Sequence, residues 1–360
     1  MMKTNALFKK RWFAALLKSF ILLIVLELLI MFNFFNGFWV LTIMSLFTNI
    51  ILATSLNLIN GFTGQFSLGH AGFMAVGGYT AAVLALNFAP SLIKAGIIPS
   101  LHNVTLKMPW GLPDMFLPFA KAIAPGGIVL LFSLLLGGIL AALMGFLIGL
   151  PTLRLRGDYL AIATLGFGEI IRLTFLNINY LGSASGMPGI PQYATVMSCV
   201  VVAIITVYAI SNVVRSTHGR AMLAVREDET AAQTVGINTT RYKVTAFTIG
   251  AFFAGVAGAL YAHTFYLVNP SIFSLLKSID VLVMVVLGGQ GSIGGSIAGA
   301  VLVTILNAFL SNFPEIRMIV YSVVLVMMII FMPHGLLTVR DLFARFRPKA
   351  GEPDNAAPDR

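Results

Sequence analysis

Apolar residues in this chain run on for lengths that fit neither the alternation of a half-buried strand nor the single stripe of a soluble helix. Stretches at about 19–35, 38–59, 66–88, 127–150, 159–176, 193–213, 244–268, 275–289, 293–311 and 316–332 are dominated by Leu, Ile, Val, Phe and Ala. A hydrocarbon core about 30 Å thick is crossed by roughly 20 such residues in a helix. The pattern predicts an all-α integral membrane protein, a polytopic helix bundle of about ten transmembrane segments with glycine-broken helices. The run from 279 to 310, if continuous, would be about 48 Å long, so it is split at GGQGSIGG, residues 288–295, into two crossings.

Composition agrees, with 58% hydrophobic and 10% charged residues. The net charge of +10 would suit a nucleic-acid partner if it formed one basic face, but 17 of the 23 Lys and Arg fall in four segments between or beyond apolar runs. These are Lys3, Lys9, Lys10, Arg11 and Lys18; Arg154 and Arg156; Arg215, Arg220, Arg226, Arg241 and Lys243; and Arg340, Arg345, Arg347, Lys349 and Arg360. Nucleic acid is therefore excluded as a partner, membrane lipid is the expected surroundings, and the charges are read as a topology signal. With all four segments in the cytoplasm the crossings alternate, both termini are cytoplasmic, and 89–126 and 177–192 lie outside. The expected organisation is a basic N-terminus at 1–18, a transmembrane domain at 19–332 with a cytoplasmic loop at 214–243, and a tail at 333–360 whose polar, Pro-containing end is disordered. The N-terminus resembles a signal n-region, but the apolar run after it is too long for a signal peptide, so it is expected to be retained.

Helix association in lipid relies on close backbone approach at small residues. Three rows at helical spacing supply them: Gly137, Ala141, Gly145 and Gly149; Gly250, Ala254, Gly258 and Ala262; and Ser67, Ala71, Ala75, Gly78 and Ala82. The single cysteine, Cys199, excludes a disulfide framework, and no Cys or His spacing suits a metal, so no cofactor is expected.

The polar residues within apolar stretches are the candidate chemistry. NGFTGQFSLGH, residues 60–70, is either a short turn between crossings or a helix interruption at depth, with Asn57, Gln65, Ser67 and His70 facing a water-filled cavity. The clustering of these polar groups at the start of the third crossing favours the second reading. Gln290, in GGQGSIGG, repeats the theme in the second half of the chain. A third glycine-rich stretch, LGSASGMPGIP at 181–191, reads as a plug, a docking loop or a linker. Ionisable residues within the crossings are Glu27, His70, Glu169, Arg172, His263 and Asp280. Glu169 and Arg172, three apart on a helix, satisfy each other; the two histidines read as hydrogen-bonded bundle residues; Asp280 falls near the outer interface.

The loop GRAMLAVREDETAAQTVGIN, residues 219–238, predicts a short charged helix with Met222, Val225, Ala232 and Val235 on a loosely apolar side and Gly236 as its stop. Together with NGFTGQFSLGHAGFMAVGGYTAA, GDYLAIATLGFGEIIRL and LGGQGSIGGSIAGA, this loop resembles the permease subunits of bacterial branched-chain amino acid ABC importers, specifically the LivM-like subunit. The resemblance covers most of residues 20–340. It implies an inner-membrane importer for leucine, isoleucine and valine, in which this permease works with a second homologous permease, two cytoplasmic ABC ATPase subunits and a periplasmic substrate-binding protein that delivers the small-molecule amino acid. It implies further that Glu229, Thr230, Ala231, Ala232 and Gly236 make up the contact that couples the loop to the ATPase, with Thr230 where the family pattern has Glu. The substrate pathway is then expected at Asn57, Gln65, Ser67, His70 and Gln290, and the binding protein is expected to dock on 89–126, with Lys94, Lys107, Asp114 and Lys121. The absence of GxxxxGK[ST] fits a transport subunit, not an enzyme, that draws its energy from partners. Permeases for urea or short amides resemble the same pattern, and an ion-coupled secondary transporter with broken helices is the alternative class.

Overall fold

The computed structural model describes residues 36–88, 125–152, 155, 157–313, 322–323 and 326–327. The expected crossing at 19–35, all of 316–332 but 322–323 and 326–327, the connection at 89–124 and both termini lie outside these described residues, as do Arg154 and Arg156.

Ten helices follow in chain order among the described residues: α1 Gly37–Asn57, α2 His70–Val83, α3 Pro125–Thr152, α4 Asp158–Asn177, α5 Val196–Arg215, α6 Thr217–Glu227, α7 Glu229–Thr234, α8 Thr239–Phe265, α9 Leu275–Gly288 and α10 Ile293–Phe309. A π-helical turn, Leu58–Phe62, extends α1, and another, Leu84–Phe88, extends α2. With these extensions six helices are long and apolar enough to cross a membrane: α1 to α5 and α8. The count of about ten is thus not reached among the described residues. The chain does break where the glycines of 288–295 predicted, but α9 and α10 have 14 and 17 residues, about 21 and 25 Å, and are short for a crossing.

Polar side chains set the helix starts. Thr195 and Ser198 form a reciprocal capping box on α5, Asn238 Oδ1 accepts from the Arg241 amide at the head of α8, and Ser292 Oγ accepts from Gly295 at the head of α10. At the end of the bundle away from α6 and α7, Met187–Pro188 (β1) pairs antiparallel with Leu267–Val268 (β2). His263 Nδ1 donates to Pro191 O across 3.0 Å in the same region. The glycine-rich stretch at 181–191 is therefore folded against the segment that follows α8.

The centre is α8, whose small residues Gly250, Ala251, Ala254, Gly255, Gly258 and Ala262 are buried around its circumference. It packs most extensively on α3 and α2. Gly77 of α2 sits directly on the Gly255 backbone, and a Cβ on Gly255 would come within 2.5 Å of Gly137 O on α3. Gly137 and Ala141 of the first predicted row thus meet α8 as small-residue packing requires. Gly258 and Gly78 of the other two predicted rows also meet, since a Cβ on Gly258 would collide with Met74 O and come within 2.9 Å of Gly78 N, and Gly77 and Gly255, beside those rows, approach as closely. By contrast, 22% of the most apolar stretch of α4 is buried, against 67% for α8, and α3 exposes Leu131, Phe132, Ile139, Leu143 and Leu147 on its outer side.

Gly77→Leu is expected to destabilise the bundle by about 3 kcal/mol or more, because backbone and not a movable side chain stands in the way. Gly166→Ala on α4, where a Cβ meets nothing within 4 Å, is expected to stay within about 0.5 kcal/mol. Thermal unfolding of the two variants in detergent checks both.

Candidate functional site

Between α1 and α2 the chain leaves helical geometry while still inside the protein. Asn57, Asn60, Thr63, Gln65, Ser67 and His70 are all buried. Irregular backbone survives in such a place when its freed donors and acceptors are met by protein, and here they are met both locally and from other helices. Leu68 N donates to Thr164 Oγ1 of α4 (3.1 Å), Ala71 N to Ser278 Oγ of α9 (3.1 Å), Ser67 N to Asn60 Oδ1 (3.2 Å) and Gln65 N to Ile59 O (3.1 Å). The connection is thus buried in protein between two helices that are each long and apolar enough to cross a membrane.

The two glycine breaks touch. Asn57 Oδ1 accepts from Gly291 N at 2.9 Å, and Asn57 Nδ2 donates to Ser292 O at 3.0 Å. One amide side chain thereby reproduces a strand-like pair of bonds to the α9–α10 turn. That turn depends on Gly291, whose φ of 78° an L side chain rarely adopts. Arg226, in the last turn of α6, completes the junction: its Nη1 donates to Gly61 O at 2.7 Å.

Other predicted residues fall into place around this junction. Ser55 Oγ lies 2.9 Å from Leu52 O, to which it donates, and 2.8 Å from His70 Nε2, which makes the imidazole the donor to Ser55. Among the described residues, Asn60 Nδ2, both amide atoms of Gln65, Ser67 Oγ and His70 Nδ1 are buried with no hydrogen-bond partner. Buried polar atoms left in this condition carry a desolvation cost, which concentrates at functional sites. Gln290, expected beside them, is instead exposed on the α9–α10 turn, because the bonds to Asn57 come from the backbone of its neighbours Gly291 and Ser292. A cleft at the start of α2 is lined by Leu68, Ala71, Glu169, Phe273, Ser274 and Ser278 among others. Glu169 and Arg172 pair at 2.7 Å.

The 219–238 loop is two helices and not one, because Asp228 ends α6 and its carboxylate accepts from the Thr230 and Ala231 amides to start α7. Glu229 pairs with Lys243 of α8 at 2.7 Å, and Met222, Val225 and Ala232 are buried. Val235 departs from the expected apolar side and is 76% exposed. Gly236, with φ 84°, ends α7, as its place in the sequence predicted. Thr230, Ala231, Gln233, Thr234, Val235 and Gly236 together leave an exposed ridge.

Sequence reasoning passed over Arg226 as a site residue, having counted it as a loop charge. It also passed over Lys277, whose Nζ donates to Asn49 Oδ1 at 3.1 Å while Asn49 Nδ2 donates to Thr304 Oγ1 at 2.9 Å, tying α9, α1 and α10 together. The signal for Lys277 was its spacing of three from Asp280 inside an apolar run.

Asn57→Ala removes both bonds to the α9–α10 turn and is expected to cost about 2 kcal/mol, read as a lowered unfolding midpoint in detergent.

Comparison with known proteins agrees with this architecture. A family model described as branched-chain amino acid transport system / permease component matches residues 38–333. The chain is 33% identical over 323 residues to the high-affinity branched-chain amino acid transport system permease protein LivM of Salmonella typhimurium, an alignment covering 80% of this chain and 67% of that relative. It is 36% identical over 124 residues to the LivH permease protein of Escherichia coli, covering 34% of this chain and 40% of LivH. To the BraD permease protein of Pseudomonas aeruginosa it is 30% identical over 167 residues, covering 46% of this chain and 54% of BraD. No solved structure matches it. With the family model spanning most of the chain and the broken helices lying where the matching motifs run, the chain belongs to the family of permease components of branched-chain amino acid transport systems.

Proposed function

We propose that this chain is the transmembrane permease subunit of an ABC importer that moves leucine, isoleucine and valine into the cytoplasm. It pairs with a second, homologous permease, is driven by ATP hydrolysis on two cytoplasmic ATPase subunits, and receives substrate from a periplasmic binding protein. It lies in the bacterial inner membrane with both termini in the cytoplasm. Ten membrane segments make up its domain: the six long helices, the short pair α9 and α10, and the apolar stretches 19–35 and 316–332.

The observation that supports this reading best is the junction of both glycine breaks with the α6–α7 loop through Asn57 and Arg226. Partner ATPases would seat on the exposed ridge of α7, the segment with Glu229, Thr230, Ala231, Ala232 and Gly236. Since Glu229 is held by Lys243, the ATPase contact falls on the exposed Thr230 and Ala231 and on the end of the helix at Gly236. Closure of the ATPase pair moves the loop, and the loop displaces the α1–α2 and α9–α10 breaks, giving access first to one side of the membrane and then to the other. A zwitterion with an aliphatic side chain needs polar groups without a strong fixed charge along its route, which Asn57, Gln65, Ser67 and His70 supply. Gln290 serves at the mouth of that route, where it is exposed, and 89–126 receives the binding protein.

Purification of the tagged chain from its native membrane, followed by ATP hydrolysis assays with the binding protein, tests the proposal. Co-purifying ATPases stimulated by leucine, isoleucine or valine are the expected result. Stimulation by urea or a short amide would change the cargo; transport by the isolated chain in liposomes without ATP, responding to an ion gradient, would overturn the importer. Gly236→Pro, which removes the amide that donates to Gln233 O and forbids the positive φ, is expected to abolish ligand-stimulated ATP hydrolysis while the chain still inserts in the membrane.

A further inference from the structure

The two glycine breaks are far apart in sequence, and the loop helices belong to neither. One side chain nevertheless holds all three. Arg226 Nη1 donates to Gly61 O at 2.7 Å, a carbonyl in the π-helical turn where α1 ends. The stem of the same residue packs on Gly64, where a Cβ would lie 3.1 Å from Arg226 Cγ and 3.3 Å from its Cα. Its guanidinium also closes on the α9–α10 turn, where a Cβ on Gly291 would come within 2.6 Å of Nη1. Three glycines, Gly61, Gly64 and Gly291, thus form the seat of one arginine.

The seat is specific in its chemistry. A charge-assisted bond to a backbone carbonyl is stronger than a neutral one, and the planar fork reaches the carbonyl while its stem lies flat against a glycine. The carboxylate nearest the guanidinium among the described ion pairs is Glu227, 3.8 Å from Arg226 Nε and 77% exposed, a weak competitor in water. Asn57 locks the far side, since its amide bonds Gly291 and Ser292 directly beside Gly61. Arg226 stands at the end of α6, two residues before the Asp228 cap from which α7 and its exposed ridge begin.

We infer that Arg226 is a positioning residue that converts displacement of α6 and α7 into a joint movement of the α1–α2 and α9–α10 breaks. The guanidinium carries the push from the loop to Gly61, and Asn57 passes it to Gly291 and Ser292, so that the two breaks shift as one unit. This inference rests on the importer reading above and adds to it the residue through which the loop acts. The residue's part is mechanical: it touches neither nucleotide nor transported molecule.

The test uses the complete importer, native and with Arg226→Lys, Arg226→Ala, Asn57→Ala or Arg226→Ala combined with Asn57→Ala. Backbone hydrogen exchange of 58–66 and 288–293 is followed with and without a non-hydrolysed ATP analogue, beside leucine uptake and ATP hydrolysis on the same preparations. In the native complex, nucleotide is expected to change exchange in both segments together. In Arg226→Ala the complex is expected to assemble and hydrolyse ATP, but the nucleotide-dependent change in both segments disappears and leucine moved per ATP falls by about tenfold or more. Arg226→Lys, which keeps the charge and loses the fork, is expected to fall between the two. The double variant is expected to be no worse coupled than Arg226→Ala, the non-additivity of two links in one chain. An Arg226→Ala complex that keeps native exchange changes and native coupling overturns the inference. So does a parallel loss of assembly, hydrolysis and uptake in both Arg226→Ala and Arg226→Lys, which is the mark of a merely structural residue. If the native complex shows no leucine stimulation, the importer reading fails for leucine, and the exchange measurement still decides the role of Arg226.

Discussion

A helix broken inside a membrane protein must find partners for the backbone groups it frees, because hydrocarbon offers none. That constraint organises the described part of this chain. The connection from α1 to α2 frees donors at Gln65, Ser67, Leu68 and Ala71, and each is matched by a group placed for it: Ile59 O, Asn60 Oδ1, Thr164 Oγ1 and Ser278 Oγ. The freed carbonyl at Gly61 takes the Arg226 guanidinium. Elements distant in sequence, α4, α6 and α9, are thus drawn to one place by the needs of one short interruption between two helices.

Close approach of helices makes that gathering possible. The crossing of Gly77, Gly255 and Gly137 brings the backbones of α2, α8 and α3 into direct contact, which no side chain larger than hydrogen would permit. The same device appears on a smaller scale at the α9–α10 hairpin, where Gly288 and Gly295 lie backbone to backbone. Tight crossings at the centre stand beside a connection that is polar and held by individual hydrogen bonds. In a transporter such a division is useful: the crossings keep the bundle intact, while Asn57 and Arg226 join the two breaks and the loop through hydrogen bonds to Gly291, Ser292 and Gly61.

The loop itself illustrates how electrostatics and capping divide one apparent helix into two. Asp228 accepts from two amides and so starts α7 as a separate helix, and Lys243 holds Glu229 against α8. What is left exposed, from Thr230 to Gly236, is a ridge with few charges of its own.

Apolar run length and the spacing of glycines determined the class, the helical architecture and the break at 288–295, and four sequence motifs carried the resemblance to the family. These are local or compositional properties, and lipid enforces them strongly: a 20-residue apolar run has few other fates. Tertiary structure alone decided which glycines meet: Gly258 of the four-residue row lies on Met74 and Gly78, and Gly77 and Gly255, outside the rows, approach each other as closely. It also decided that α9 and α10 are short, that Gln290 is exposed while Asn57 binds the turn beside it, and that Arg226 is tied to Gly61 and Lys277 to Asn49. Such outcomes depend on contacts between residues as far apart as Asn57 and Gly291, set by how whole helices rotate and tilt against each other, and no local pattern encodes that rotation.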